Sequence, residues 1–148
     1  MSCHKEHYRK GANLALAGYQ LIESLLKTYI KNYFSIVKSI IGNELYFGFD
    51  GQDYEEAPLG RLLQVFSKIC DNQKLVKDLQ SEIKHRNDVA HKSMLILYSK
   101  SKPSIEEFDD LNKSLEVRNK AIHKLYTRLI AQHDLLVEPY EENISAKI

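Results

Sequence analysis

Residues 73–98 read QKLVKDLQSEIKHRNDVAHKSMLILY, and their apolar side chains recur at helical rather than strand spacing. Leu75, Leu79, Ile83, Ala90, Met94 and Leu97 stand three, four or seven residues apart, which predicts one amphipathic helix from about Gln73 to Tyr98. Asp71-Asn72 just ahead can end the preceding element and start this one. Working outward, the same period runs from about Tyr8 to Ile41 through Leu14, Leu21, Leu25, Tyr29, Tyr33, Val37 and Ile40, and stops at Gly42, a natural C-cap. At ~1.5 Å per residue such a helix extends about 50 Å, so a bend near Gly11 or Gly18 is expected. Residues 43–57 break the pattern with Gly48, Gly51 and an acidic stretch rich in aromatics (Tyr46, Phe47, Phe49, Tyr54). Pro58 suits the opening of a second helix carrying Leu59, Leu62, Leu63, Phe66 and Ile69. Beyond Tyr98, the stretch from Ser99 to Pro103 reads as a turn. Ser104 and Glu107 form a capping box for a last helix reaching about Val137, which Pro139 closes. The acidic residues Glu106, Glu107, Asp109 and Asp110 fit the first turns of that helix, where its dipole favours negative charge.

The expected architecture is therefore all-α: an antiparallel four-helix bundle, or five with an extra short helix, in a single domain spanning 1–148 with 140–148 as a flexible tail. The 148 residues make one ordinary domain that can bury roughly two-thirds of its unfolded surface without covalent staples. The two cysteines, Cys3 and Cys70, form no spaced framework and read as free thiols of a reducing compartment. No stretch has the apolar length of a membrane span, and the first residues lack the apolar core of a leader, so a cytoplasmic protein with no membrane partner is expected. Twenty-one basic against twenty acidic residues leave a net charge of +1, so any polyanion site must be local. The best local candidate is the segment from Lys84 to Lys102, where Lys84, Arg86, Lys92, Lys100 and Lys102 face one acid, Asp88. An ordinary solvated helix face would carry the same charges.

Within the third helix, polar residues stand where the stripe calls for core. Asn87 lies four residues past Ile83, His91 four past Asn87, and Arg86 on the edge of the same stripe. An unpartnered buried polar group costs about 1–3 kcal/mol, so the placement requires compensation. A hydrogen-bonded cluster between helices would be the plain one. The chemical alternative is that histidine moves protons near neutral pH while a permanently charged arginine holds a phosphate and stabilises developing charge. Those two groups are what metal-free RNA cleavage needs, because the ribose 2′-hydroxyl supplies the nucleophile.

The run His85-Arg86-Asn87-Asp88-Val89-Ala90-His91 resembles the signature of the HEPN superfamily: an arginine, a polar residue, and a histidine a few positions on. The Leu59-Gly60-Arg61-Leu62-Leu63 helix ahead of it also looks like that of related members. The resemblance implies a helical domain that dimerises so that two motifs face one cleft and form a composite ribonuclease site. Carried over, Arg86 would hold and stabilise the scissile phosphate, His91 would serve in acid/base transfer or phosphate contact, and Asn87 would orient them. Lys84, His85 and Lys92 would add RNA contacts. The setting implied is toxin–antitoxin or phage-defence biology, with RNA as substrate, a homodimer, and an antitoxin or other regulatory protein as partner. Where some toxin members carry a modifiable tyrosine two positions after the histidine, this chain has Ser93, which puts that mode of neutralisation in doubt.

Spacing alone is weak evidence, because three of the five arginines have a histidine five positions on. Arg118-Asn119 with His123 is a second formal match. The first copy is preferred for its Val89-Ala90 wording, and Arg118 and Asn119 are read as adding contacts to the same cleft, since folding the last two helices about residues 101–102 sets residue 86 level with about 117. No Gly-rich phosphate loop, paired carboxylates or Ser/His/Asp set is present, and Cys3, His4 and His7 on an expected frayed terminus lack a fourth ligand, so neither cofactor nor metal is expected. The rival class of function is a catalytically silent helical module binding RNA, a nucleotide or a protein. A plain structural bundle is the third reading. Placement discriminates: a ribonuclease needs its motif open to solvent, a core cluster does not.

Overall fold

The computed structural model describes residues 2–99 and 102–141. Four α-helices, and no strand among the described residues, make up the chain: α1 Ser2–Ile41, α2 Leu59–Ile69, α3 Gln73–Tyr98 and α4 Ile105–Val137, with single 3-10 turns at Gly51–Tyr54 and Glu138–Tyr140. The all-α bundle expected from periodicity is what forms, and the local start and stop chemistry explains its boundaries. Gly42 ends α1 with φ of 62°, the left-handed conformation that glycine adopts without a Cβ penalty. The Asn72 side chain accepts from the Leu75 amide to open α3. Ser104 and Glu107 cap α4 reciprocally, at 3.2 and 2.8 Å. Lys100 and residues 142–148, which include most of the expected tail, lie outside the described residues, whereas Tyr140 closes a 3-10 turn.

Two departures matter for the site. First, α1 is one uninterrupted helix of 40 residues that begins at Ser2, so Cys3, His4 and His7 sit on helix rather than on a frayed end. Second, α1 and α4 run in the same direction: His4 meets Asp109, and Asn32 meets His133. α3 is antiparallel to both, with Tyr19 meeting Glu82 and Tyr8 meeting Ser93. The short α2 and the preceding loop, packed against α1, let the chain turn back without a full-length second helix.

α1 is gripped on two sides, and its buried face is accordingly Tyr8, Ala12, Ala15, Tyr19, Ile22, Leu26 and Ile30. The stripe read from sequence is rotated from it: Tyr29 is buried, but Leu14, Leu21 and Ile40 are exposed. The small residues on α1 explain how close α4 comes. A Cβ at Gly18 would stand 2.5 Å from Ile122 Cγ2, and one at Gly11 3.3 Å from Leu115 Cδ1. Gly18→Ala is therefore expected to destabilise by about 1–2 kcal/mol, because overpacking against the stiff, buried Ile122 outweighs the helix propensity gained. Gly60→Ala, with nothing within 4 Å of the new methyl, should leave the chain equally or slightly more stable. Paired thermal melts of the two variants check both signs.

Candidate functional site

The inward face of α3 is Leu75, Val76, Leu79, Glu82, Val89 and Ser93. The expected stripe holds for the first two turns and is then displaced around the helix by about one residue, which corresponds to ~100°. Met94, assigned to the core by spacing, is 63 % exposed. What the apolar pattern did not reveal is that the core itself accepts polar groups here because each has a partner. Glu82 is buried, accepts from the Tyr19 hydroxyl at 3.1 Å through Oε1, and accepts from Arg118 Nη1 at 2.8 Å through Oε2. One carboxylate thus ties α1, α3 and α4 together. Burial, then the adjacent Glu82 charge, pushes the Tyr19 phenol well above its ordinary range, so it stays a donor. About three turns further along α3, Ser93 Oγ donates to the Val89 carbonyl at 2.6 Å and lies 3.5 Å from the Tyr8 hydroxyl.

This arrangement separates the residues singled out in the sequence. Asn87 and His91 are exposed, one turn apart on the outer ridge of α3, and among the described residues neither has a hydrogen-bond or ion-pair partner. Lys84, seven residues before His91, is exposed on the same ridge. Arg86 is half-buried toward α1, with Nη2 3.9 Å from Glu23 Oε2. His85 and Lys92 are exposed but lie about 100° around the helix from the His91 ridge, on the side nearer α4. The structure therefore keeps Lys84, Asn87 and His91 on one ridge of α3, turns Arg86 about 140° around the helix from His91 toward Glu23 of α1, and sets His85 and Lys92 on the side nearer α4.

The second motif copy takes a different place. Arg118 is directed at Glu82, its guanidinium engaged in the core rather than in a cleft. Asn119 Nδ2 donates to the Gly11 carbonyl of α1 at 3.1 Å. The role read for both as cleft contacts gives way to a packing role, for the physical reason that a buried carboxylate demands a cation. The height read for residue 118 is off by one turn, since it meets residue 82 rather than 86.

Sequence reasoning missed one neighbour of the motif. Tyr98, seven residues past His91 on the same ridge, is 80 % exposed, with Met94 between them. The available signal is its i+7 spacing from the motif histidine, masked because apolar spacing assigns Met94 and Leu97 to the core.

At the far end of the bundle His133 packs against Tyr29, its Nε2 2.8 Å from Asn32 Nδ2. An amide nitrogen can only donate, so with this amide orientation the ring is neutral with the proton on Nδ1. Desolvation lowers the His133 pKa below its ordinary value of 6.5, partly opposed by Asp134. With a depressed folded pKa, the unfolded chain binds the extra proton first; the contribution of His133 is full above about pH 6.5 and is lost as pH falls through the folded value. The melting temperature should therefore drop between pH 7 and 5, and His133→Gln should reduce that slope when the two chains are compared.

No group of three or more His, Cys, Asp or Glu able to hold a metal occurs among the described residues, and no helix there is long and apolar enough to cross a membrane. Compared with family profiles, curated proteins and solved structures, the chain matches none.

Proposed function

We propose that the chain is a metal-independent endoribonuclease of the HEPN type, cutting RNA at a composite site made by two copies. The observation that carries this reading is the exposure of Asn87 and His91, which stand without partners among the described residues on a solvent-facing ridge where a polar core cluster would be closed to water, while Arg86 is half-buried toward Glu23 of α1. Lys84 extends the ridge with a cation for a neighbouring phosphate, and Tyr98 offers a ring on which an unpaired base can stack.

The chemistry needs two proton transfers. The ribose 2′-oxygen attacks phosphorus as a base removes its proton, the P–O5′ bond breaks, and an acid protonates the leaving 5′-oxygen. The products are a 2′,3′-cyclic phosphate and a free 5′-hydroxyl. Two facing copies supply two His91 imidazoles for those roles, while Arg86 stabilises the phosphorane charge. A toxin or phage-defence setting, with a regulatory partner, belongs to the same resemblance.

One observation favours a second reading, a silent RNA-binding module. Glu23 stands beside Arg86 and competes with a phosphate for it. Incubating the protein with labelled single-stranded RNA in excess EDTA separates the two. Cleavage leaving cyclic phosphate ends supports the nuclease; binding of several RNAs without cleavage supports the module.

A further inference from the structure

The connection between α1 and α2 carries no part of the α3 ridge, and its composition is lopsided. From Asn43 to Gly60 it holds five acidic residues, Glu44, Asp50, Asp53, Glu55 and Glu56, and no lysine, arginine or histidine, in a chain whose net charge is +1. All five carboxylates are exposed. Asp50 stands 3.5 Å from Lys38, while the other four have no ion-pair partner among the described residues. Apolar side chains stand among these charges. Ile40, Leu45, Tyr46 and Phe49 are all exposed, Leu45 at 70 % and Tyr46 at 98 %. Single exposed apolar residues are ordinary, but four large ones within ten positions call for a cause.

The segment is nonetheless held in place. Gly51 is buried against α1, where a Cβ would come 2.5 Å from Lys31 Cα. The buried Phe34 ring of α1 is met by Phe47, Phe49 and Tyr54, with centroids 5.9, 5.7 and 5.9 Å away. From Tyr46 to Asp50 the chain is neither helix nor strand, and Asp50 is extended, with φ of −133° and ψ of 142°. No backbone amide or carbonyl from Leu45 to Phe49 has a hydrogen-bond partner among the described residues. Beside the segment, at the end of α1, opens a hollow of about 740 Å³ bordered by Gly42, Leu45, Tyr46 and Phe47. Lys38 also lines it, with its charge answered by Asp50.

We propose that residues 45–49 are a docking strand for a partner protein, pairing with an extended stretch of that partner in which apolar residues alternate with Lys or Arg. Three features choose this occupant. Unpaired amides and carbonyls on a segment already in position are what strand addition uses. Alternation gives the partner an apolar face for the exposed side chains and the hollow, and a basic face for the carboxylates. Four unpaired carboxylates attract cations and repel phosphates, which disfavours RNA and anionic bilayers on the same surface. Because Gly51 and the ring cluster already fix the segment, docking has little of this chain left to order. The inference goes beyond the ribonuclease reading and does not depend on it.

Fluorescence anisotropy with the full chain tests it, using three labelled peptides of about ten residues. One alternates Val and Lys, one reorders the same residues to a helical period, and one alternates Val and Glu. The alternating Val/Lys peptide should bind at least about 10-fold more tightly than the other two, and should weaken as salt is raised. Leu45→Ser/Tyr46→Ser and, separately, Glu44→Lys/Glu55→Lys should each weaken that binding by about 10-fold or more. Far-ultraviolet circular dichroism should be unchanged in both, since all four side chains are exposed. Methylating the backbone nitrogens of one alternate set of peptide residues should abolish binding while methylating the other set spares it, because only one edge of the added strand pairs. No binding by the parent up to roughly 1 mM, equal binding of the helical-period peptide, or indifference to both double variants would each overturn the proposal. RNA cleavage by the Leu45→Ser/Tyr46→Ser chain should match the parent's, so that a failure of docking and a failure of the ribonuclease reading are seen separately.

Discussion

Arg118→Met is expected to lower the melting temperature by about 5–15 °C, measured by circular dichroism at 222 nm and pH 7. Glu82 is buried where three helices meet, and its carboxylate accepts from Tyr19 and Arg118. Removing the cation leaves a desolvated anion with one neutral donor. Breaking a buried pair typically costs about 3–5 kcal/mol; because Arg118 is itself about a quarter exposed, some water reaches the site and about 2–4 kcal/mol is the better figure. At roughly 2–4 °C per kcal/mol for a domain of this size, the stated drop follows. The companion chain Glu82→Leu/Arg118→Met removes both charges and should recover most of the loss, since apolar replacement of a whole buried pair is often neutral. A single variant as stable as the parent would mean that water already solvates Glu82. Held well below its melting point, the Arg118→Met chain should bind RNA as the parent does, because that guanidinium faces the core.

The same carboxylate explains what could and could not be read from the letters alone. Helix boundaries were legible because they are local chemistry: Asn72, Ser104 with Glu107, and Gly42 act within a turn of themselves. The inward faces were less legible because a period identifies a stripe without saying which neighbours it meets. On α3 the letters at 82 and 93 look like surface, yet Tyr19, Arg118 and Tyr8, all distant in sequence, supply partners that make their burial tolerable. Rotating α3 to bury Glu82 and Ser93 is what turns Asn87, His91 and Met94 outward. On α1 Leu14 and Leu21 stand outside, while Ala12, Ala15, Tyr19 and Ile22 hold the inward positions, and Gly11 and Gly18 let α4 come close. Asn87 and His91 thus interrupt no apolar core and stand on a ridge, while Arg86 turns toward α1.

That ridge makes the catalytic prediction sharp. His91→Ala should reduce the rate of RNA cleavage about 10²- to 10⁴-fold, the usual range for removing a positioned acid or base, which at 1.36 kcal/mol per decade is about 2.7–5.4 kcal/mol of barrier. Thermal stability should move by no more than about 0.5 kcal/mol, because the imidazole is exposed and has no partner to lose among the described residues. The separation of the two readouts is the point. A buried structural histidine would move stability and activity together, whereas an exposed catalytic one moves activity alone. Two controls fix the assignment to this copy of the motif. His85→Ala, about 100° around α3, should change the rate by less than about threefold. His123→Ala, the histidine of the second copy, should be equally silent, because its Arg118 is already held by Glu82. Arg86→Lys tests the phosphate role: it keeps the charge and loses the planar fork, so it should retain RNA affinity better than turnover. If His123→Ala abolishes cleavage while His91→Ala does not, the site lies on α4 and the ridge of α3 is only a surface.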